Sequence, residues 1–292
     1  MTKSNKIQDN KPKLPKGFLS LKSRKVIDVR EVLTDPREIS YHLKPKLKAL
    51  INLPTLKGRL GMFYELEKSR SLHPYLLAAS TYIEKRSQKD SFDLIKKYSE
   101  LFTINNANEN LGLEEYPVFP DSSSPFGYIL PWEAGDPVKK IKARLEQMKK
   151  ENLRYGLSQI SHLGSSNCCD RKILIETKRI TELAESIMTS GYKLTYKSPI
   201  SANILIHDRE YTWMPSSGNH RVAILSALGW NLLPVLINGF IRREEVSLWP
   251  AVRTGLYTEE SALCVFDRIF QANPPASAKK WVEQAKQTYC AT

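Results

Sequence analysis

Six consecutive residues, Ser216-Ser217-Gly218-Asn219-His220-Arg221, gather hydroxyls, a glycine, an imidazole and a guanidinium in one short stretch. The pattern around them predicts a strand over 211–214 and a helix over 219–228 that ends at Gly229, so the six lie where a strand meets a helix start. A helix start offers unpaired backbone N–H groups and the positive end of the helix dipole. Glycine there admits the close approach of an anion, and the Arg221 fork suits two phosphate oxygens at once. Two cations at a helix N-terminus cost about 0.3–1 kcal/mol each unless an anion offsets them. The chemistry implied is phosphate binding by Ser217, Gly218, Asn219, His220 and Arg221, with His220 also a catalytic candidate. The competing reading is that Asn219 or Ser217 merely caps the helix while His220 and Arg221 are ordinary surface residues.

A second group stands upstream. Glu176 and Arg179 are three residues apart on a helix expected over 173–190, so they project on one face, and Lys172 lies one turn earlier. If the chain transfers phosphate, Glu176 is the expected general base or Mg²⁺ partner, with Lys172 and Arg179 placed for phosphate. Against this stands a solvated helical salt bridge worth about 0.3–0.5 kcal/mol. Asp208 and Glu210 fall in an expected hairpin turn and read as exposed. His42, His73 and His207 have no ligand-spaced partners and are assigned no role.

With its flanks, the run S-G-N-H-R-V-A-I-L-S-A-L-G-W-N-L-L-P-V-L-I over 217–237 resembles the nucleotide-binding signature of the ParB/sulfiredoxin superfamily. Ser186-Ile187 and Gly191 fall where that superfamily has an S-I-x-x-x-G segment, and His162-Leu163-Gly164 falls where similar proteins carry H-x-G before a glutamate-arginine pair. The similarity covers about residues 171–237. It implies a small mixed α/β domain, ATP or another nucleoside triphosphate as ligand, Mg²⁺ as a candidate companion, and a kinase-like branch among the activities. Departures narrow the choice. Asn219 stands where sulfiredoxins need cysteine and partitioning proteins usually have glutamate, and Ser217 stands where the kinase branch often has aspartate.

The elements that must position these residues follow from periodicity. Residues 1–25, lysine-rich and interrupted by Pro12 and Pro15, read as a flexible basic arm. Helical spacing dominates 36–102, so 26–115 is expected to be a helical region. Residues 116–137 hold five prolines and read as an irregular strap whose aromatics, Phe119, Phe126, Tyr128 and Trp132, anchor it to the second half. Packing is the preferred role for Leu130-Pro131-Trp132-Glu133, with a lid over a base ring as the alternative. Asp136 and Pro137 predict a helix start, and a charged helix runs to about residue 152. The helix over 173–190, strands over 203–206 and 211–214, the helix over 219–228 and a strand over 233–237 make the α/β unit of 138–292, closed by two more helices, one capped by Thr258 and one opened by Ser277. The fold class expected is α/β (α+β), a helical N-terminal region followed by a ParB/sulfiredoxin-like domain.

Composition sets bounds. The chain of 292 residues carries a net charge of +13, but residues 1–60 hold 15 Lys/Arg against 5 Asp/Glu, whereas 157–292 hold 15 against 12. The positive charge belongs to the leader, so nucleic-acid binding through the arm is conceivable and not favoured. No apolar run reaches about 18 residues, which predicts neither a membrane span nor a secretory signal and hence a cytoplasmic protein. Four cysteines in no metal or disulfide spacing read as reduced and structural. The expected function is ATP-dependent phosphotransfer to a small hydroxylated metabolite or carbohydrate precursor, an unidentified acceptor. A similarity to uncharacterised bacterial proteins accompanying surface-polysaccharide synthesis implies that setting. The alternatives are a non-catalytic CTP- or ATP-responsive module that controls partner or nucleic-acid association, and a scaffold without ligand.

Removing residues 1–25 is therefore expected to leave the thermal midpoint and any nucleotide-induced stabilisation unchanged, while lowering any nucleic-acid affinity. A truncated protein that keeps full, salt-sensitive DNA binding would place that contact elsewhere.

Overall fold

The computed structural model describes residues 50–157, 161–165, 168–194 and 199–289, without the side chains of residues 50 and 51. The arm expected over 1–25, the stretch 26–49 with His42, and Cys290 lie outside them. The described residues form a mixed α/β fold with one four-stranded sheet, a two-stranded ribbon and nine α-helices.

The sheet contains β1 (Leu50–Pro54), β4 (Ser201–His207), β5 (Glu210–Ser217) and β6 (Leu232–Arg242), in the order β1-β6-β4-β5. β4 and β5 are the expected hairpin, longer at both ends, with His207 opposite Glu210 and Asp208 at φ +51° in the tight turn. Between β5 and β6 runs α6 (Asn219–Ala227), and this helical crossover lets β6 return parallel to β4. Residues Val222 to Ala227 are buried without a break, because α6 is enclosed by the sheet and by α1 (Pro74–Lys85) and α5 (Asp170–Ser190). A helix covered on every side needs no polar stripe.

The reading of 26–115 as a helical region needs correction. Its described part opens with β1 and the ribbon of β2 (Arg59–Leu60) and β3 (Tyr64–Glu65); only then come α1, α2 (Gln88–Leu101) and α3 (Ala107–Leu111). β1 pairs antiparallel with β6, Leu53 opposite Leu233, and so completes the sheet from about 180 residues away. The pairing is reinforced by Trp213, fully buried on β5, whose Nε1–H donates to the Pro54 carbonyl at 2.7 Å. Strand pairing at that separation leaves no local periodic mark.

Residues 116–136 form no regular element, as expected of the strap, and are fixed by side chains. Asn108 brackets the strap, donating to the Phe119 carbonyl at 2.7 Å and accepting from the Val118 and Phe119 amides at 3.0 Å each. Phe119, Ile129 and Leu130 enter a core made with Trp249, Tyr257 and Phe266, and Tyr257 donates to the Ile129 carbonyl at 2.7 Å. Trp132 meets Trp249 edge-on in the same core, which makes it a packing residue. α4 (Pro137–Arg154) begins at Asp136, whose carboxylate accepts from the Lys139 amide. The C-terminal helices are α7 (Pro250–Arg253), α8 (Glu259–Gln271), opened by a Thr258–Ser261 capping box, and α9 (Lys279–Tyr289), with Trp281 buried. No described helix is long and apolar enough to cross a membrane.

Candidate functional site

The N-cap of α6 is Gly218, and no side chain caps the helix. The capping role considered for Asn219 or Ser217 is therefore not the one adopted. Gly218 sits at φ +87°, and a Cβ there would stand 3.0 Å from the Arg221 guanidinium and 3.3 Å from the Ile200 backbone, so both conformation and space call for glycine. Arg221 folds back over the turn and donates to the Pro199 carbonyl at 3.4 Å. Hydroxyls border the turn: Ser201 Oγ lies 2.9 Å from Ser216 Oγ and 2.8 Å from Ser217 Oγ, and Asn238 donates to Ser216 at 2.6 Å.

Opposite the turn, α5 presents Glu176, only 2 % exposed. The solvated salt bridge is thereby excluded. Four donors meet this carboxylate: Lys172 Nζ at 2.7 Å and Arg179 Nη1 at 3.1 Å on Oε1, His220 Nε2 at 2.8 Å and Tyr75 Oη at 3.3 Å on Oε2. Burial alone would raise the Glu176 pKa. The hydrogen bond from His220 and the charge of Lys172 outweigh it and hold the carboxyl well below the usual range. A carboxylate so held does not collect a proton near neutral pH, and its acceptor positions are occupied. Glu176 thus suits neither the general-base role nor the Mg²⁺ contact expected of it; its place is that of an anchor.

The companions also change roles. Lys172 is 5 % exposed and spent on Glu176, which makes it an internal countercharge and not a phosphate contact. Arg179 continues outward to Glu151 Oε1 at 2.6 Å and Tyr155 Oη at 2.8 Å, lying over the Tyr155 ring, and so ties α5 to α4. His220 keeps both expectations open, since its side chain is 27 % exposed and stacks on Tyr75 with ring centres 4.6 Å apart and planes at 20°.

All eight predicted site residues line one cavity of about 830 Å³, together with His162, Phe126, Tyr128, Glu133 and Arg144. His162 lies under the strap, its ring 3.9 Å from that of Phe126. Sequence reasoning missed Tyr75, His73, Ser201, Glu151 and Tyr155. His73, given no role, is the N-cap of α1: its Nδ1 accepts from the Tyr75 amide at 3.1 Å, with Pro74 at the first helical position. A His-Pro pair before an apolar run was the available signal; nothing local announced that Tyr75 reaches a carboxylate 101 residues later. Among the described residues, one group of ligand-type atoms is close enough to share a cation, His207, Asp208 and Glu244, and it sits at the hairpin tip, the end of β4–β5 opposite Ser217.

No family model matches the chain, and neither a curated protein nor a solved structure matches it.

Replacing Glu176 by glutamine keeps the shape and removes the charge that Lys172 needs. Breaking a buried pair this way is expected to cost about 3–5 kcal/mol, read as a fall in the urea midpoint. A cost under about 1 kcal/mol would mean that Glu176 does not anchor the site.

His73 gives a pH dependence. Burial first, and the neighbouring His220 second, pull its pKa from 6.5 down to about 3. Between those values the unfolded chain holds a proton that the folded chain lacks. Stability is thus fully present above about pH 6.5 and falls as the pH drops towards 3, by about 1.4 kcal/mol per pH unit at most. His73→Asn keeps a capping acceptor and is expected to flatten the slope of unfolding free energy between about pH 6.5 and pH 5, above the main carboxylate range. An unchanged slope would exclude His73 as its source.

Proposed function

We propose that this protein binds the phosphates of a nucleoside triphosphate at the start of α6 and transfers a phosphoryl group to a small hydroxylated acceptor. The observation that carries this is the union, in one cavity, of an uncapped helix N-terminus behind Gly218 with an imidazole held by an ionised buried carboxylate. Backbone N–H groups of the first turn, the Ser217 hydroxyl and the Arg221 guanidinium supply donors for phosphate oxygens. Helix, hairpin, helix and strand in the order α5, β4–β5, α6, β6 are consistent with the ParB/sulfiredoxin-like resemblance of 171–237. The cavity is large enough for a nucleotide together with a small acceptor.

The chain's own residues divide the work. Glu176 fixes the His220 ring, and the hydrogen bond from His220 with the charge of Lys172 keeps Glu176 ionised. Gly218 and Arg221 hold the phosphate. His220, the half-exposed titratable group of the cluster, meets the reacting atoms. The strap and α4 form the opposite wall and restrict water.

A second reading, nucleotide binding without transfer, is favoured by one specific feature: the lining carboxylates are all ion-paired, Glu133 with Arg144 at 3.2 Å, Glu151 with Arg179, and Glu176 with Lys172 and Arg179.

His220→Asn separates the two. Asparagine retains a polar group but has no proton affinity and no nucleophilic nitrogen, so turnover of ATP or CTP, followed by phosphorus NMR with a panel of polyols, sugars and amino acids, is expected to fall about 10²–10⁴-fold. Equal turnover in both proteins removes His220 from the chemistry. Nucleotide-induced stabilisation of the wild type without turnover on any acceptor establishes the binding module, and no stabilisation at millimolar nucleotide removes both readings.

A further inference from the structure

Phosphoryl transfer straight to a hydroxyl calls for a group that accepts the hydroxyl proton. The three carboxylates lining the cavity, Glu133, Glu151 and Glu176, are engaged by cations. His220 is placed differently. Its Nε2 is bound to Glu176 at 2.8 Å, and among the described residues no hydrogen bond engages its Nδ1. An ionised carboxylate accepts only, so in the neutral ring the proton sits on Nε2 and the lone pair on Nδ1. Tyr75, stacked on the ring and donating to the same carboxylate, restricts rotation about the Cβ–Cγ bond that would carry Nε2 away from Glu176. This is the arrangement of an oriented nucleophile: a reactive atom, a group that fixes it, and a third element that fixes the pair. It lies at the second residue of α6, beside the Gly218 turn.

We propose that His220 Nδ1 attacks the phosphoryl donor and carries the phosphoryl group as a phosphohistidine, so that transfer proceeds in two displacements. The inference deepens the phosphotransfer reading and rests on it. In the first step the Nδ1 lone pair forms an N–P bond to the γ-phosphorus while the bond from that phosphorus to the β,γ-bridging oxygen breaks. The electron pair leaves with the nucleoside diphosphate. The ring, phosphorylated at Nδ1 and still protonated at Nε2, is cationic, and the Glu176 carboxylate 2.8 Å away balances that charge. In the second step the acceptor hydroxyl oxygen bonds to phosphorus, the N–P bond breaks with its electrons returning to Nδ1, and the hydroxyl proton passes to water. In this sequence the attacking lone pair comes from His220 and the acceptor's proton goes to solvent, so no lining carboxylate has to act as base, which fits a cavity whose carboxylates are ion-paired.

The test uses the full chain and two donors without an acceptor: ATP, and phosphoramidate, which phosphorylates reactive imidazoles with no nucleotide present. After quenching in alkali, peptides are read by mass spectrometry. The expected result is one phosphoryl group on His220 from either donor, stable in alkali and lost in warm acid, and absent from His220→Asn. His207, half-exposed and paired with Glu244 at 3.0 Å, is the internal control for non-specific labelling and for accessibility in the variant. Transfer from ATP to water or an acceptor with His220 unlabelled would overturn the intermediate and leave phosphotransfer standing. Labelling by phosphoramidate but not by ATP, CTP or GTP would uphold the nucleophile and remove the nucleotide donor. Labelling of His207 with none on His220 from either donor would overturn the proposal outright.

Discussion

The buried negative charge of Glu176 governs the rest of this structure. A carboxylate taken out of water is tolerated only where cations and hydrogen-bond donors replace its hydration, and here four side chains do so. Two of them, Lys172 and Arg179, come from its own helix one turn away on either side. Tyr75 comes from α1 and His220 from α6, so satisfying one charge fixes the mutual placement of three helices. Arg179 then extends the network to Glu151 and Tyr155 on α4. The ensemble is charge-matched internally, and His220, Arg221 and the start of α6 line the cavity beside it.

That helix start is itself a product of backbone constraint. β5 ends at Ser217, and the chain turns into α6 through a single residue at positive φ with Ile200 and the Arg221 side chain close above it. A larger residue would strain the turn and fill the space over the first free amides. The sheet places this turn at the same end as Ser201 and Asn238, so hydroxyl and amide groups of three strands surround it. The turn is thereby assembled from strands whose other ends hold the group of half-exposed His207 with exposed Asp208 and Glu244 near the hairpin tip.

The strap shows how an irregular segment can form the wall of a site. It has no ladder to satisfy its backbone, so Asn108, Asn110 and Tyr257 supply the partners, while Phe119, Ile129 and Leu130 anchor it in the core. Two of its other aromatics, Phe126 and Tyr128, lie along the cavity, against His162 and Arg144 respectively. Anchoring and cavity lining are thus separated along one loop: Phe119, Ile129 and Leu130 hold it in the core, and half-buried Phe126 and Tyr128 line the cavity.

Features set by local chemistry were legible along the chain. Asp136 and Pro137 marked the start of α4, the 3.6-residue period marked α5, the alternation about Asp208 marked the hairpin, and serine, glycine and two cations marked the turn into α6. It also put Glu176, Lys172 and Arg179 on one helix face, because spacing along a helix fixes direction. Tertiary structure alone decided that the face is buried, and burial turned an expected base into an anchor and an expected phosphate ligand, Lys172, into its countercharge. The arrival of β1 at the sheet edge and of His73 and Tyr75 beside His220 was likewise invisible. Pairing between segments about 100 to 180 residues apart depends on which surfaces exclude water together, and neither propensity nor periodicity within a segment encodes that.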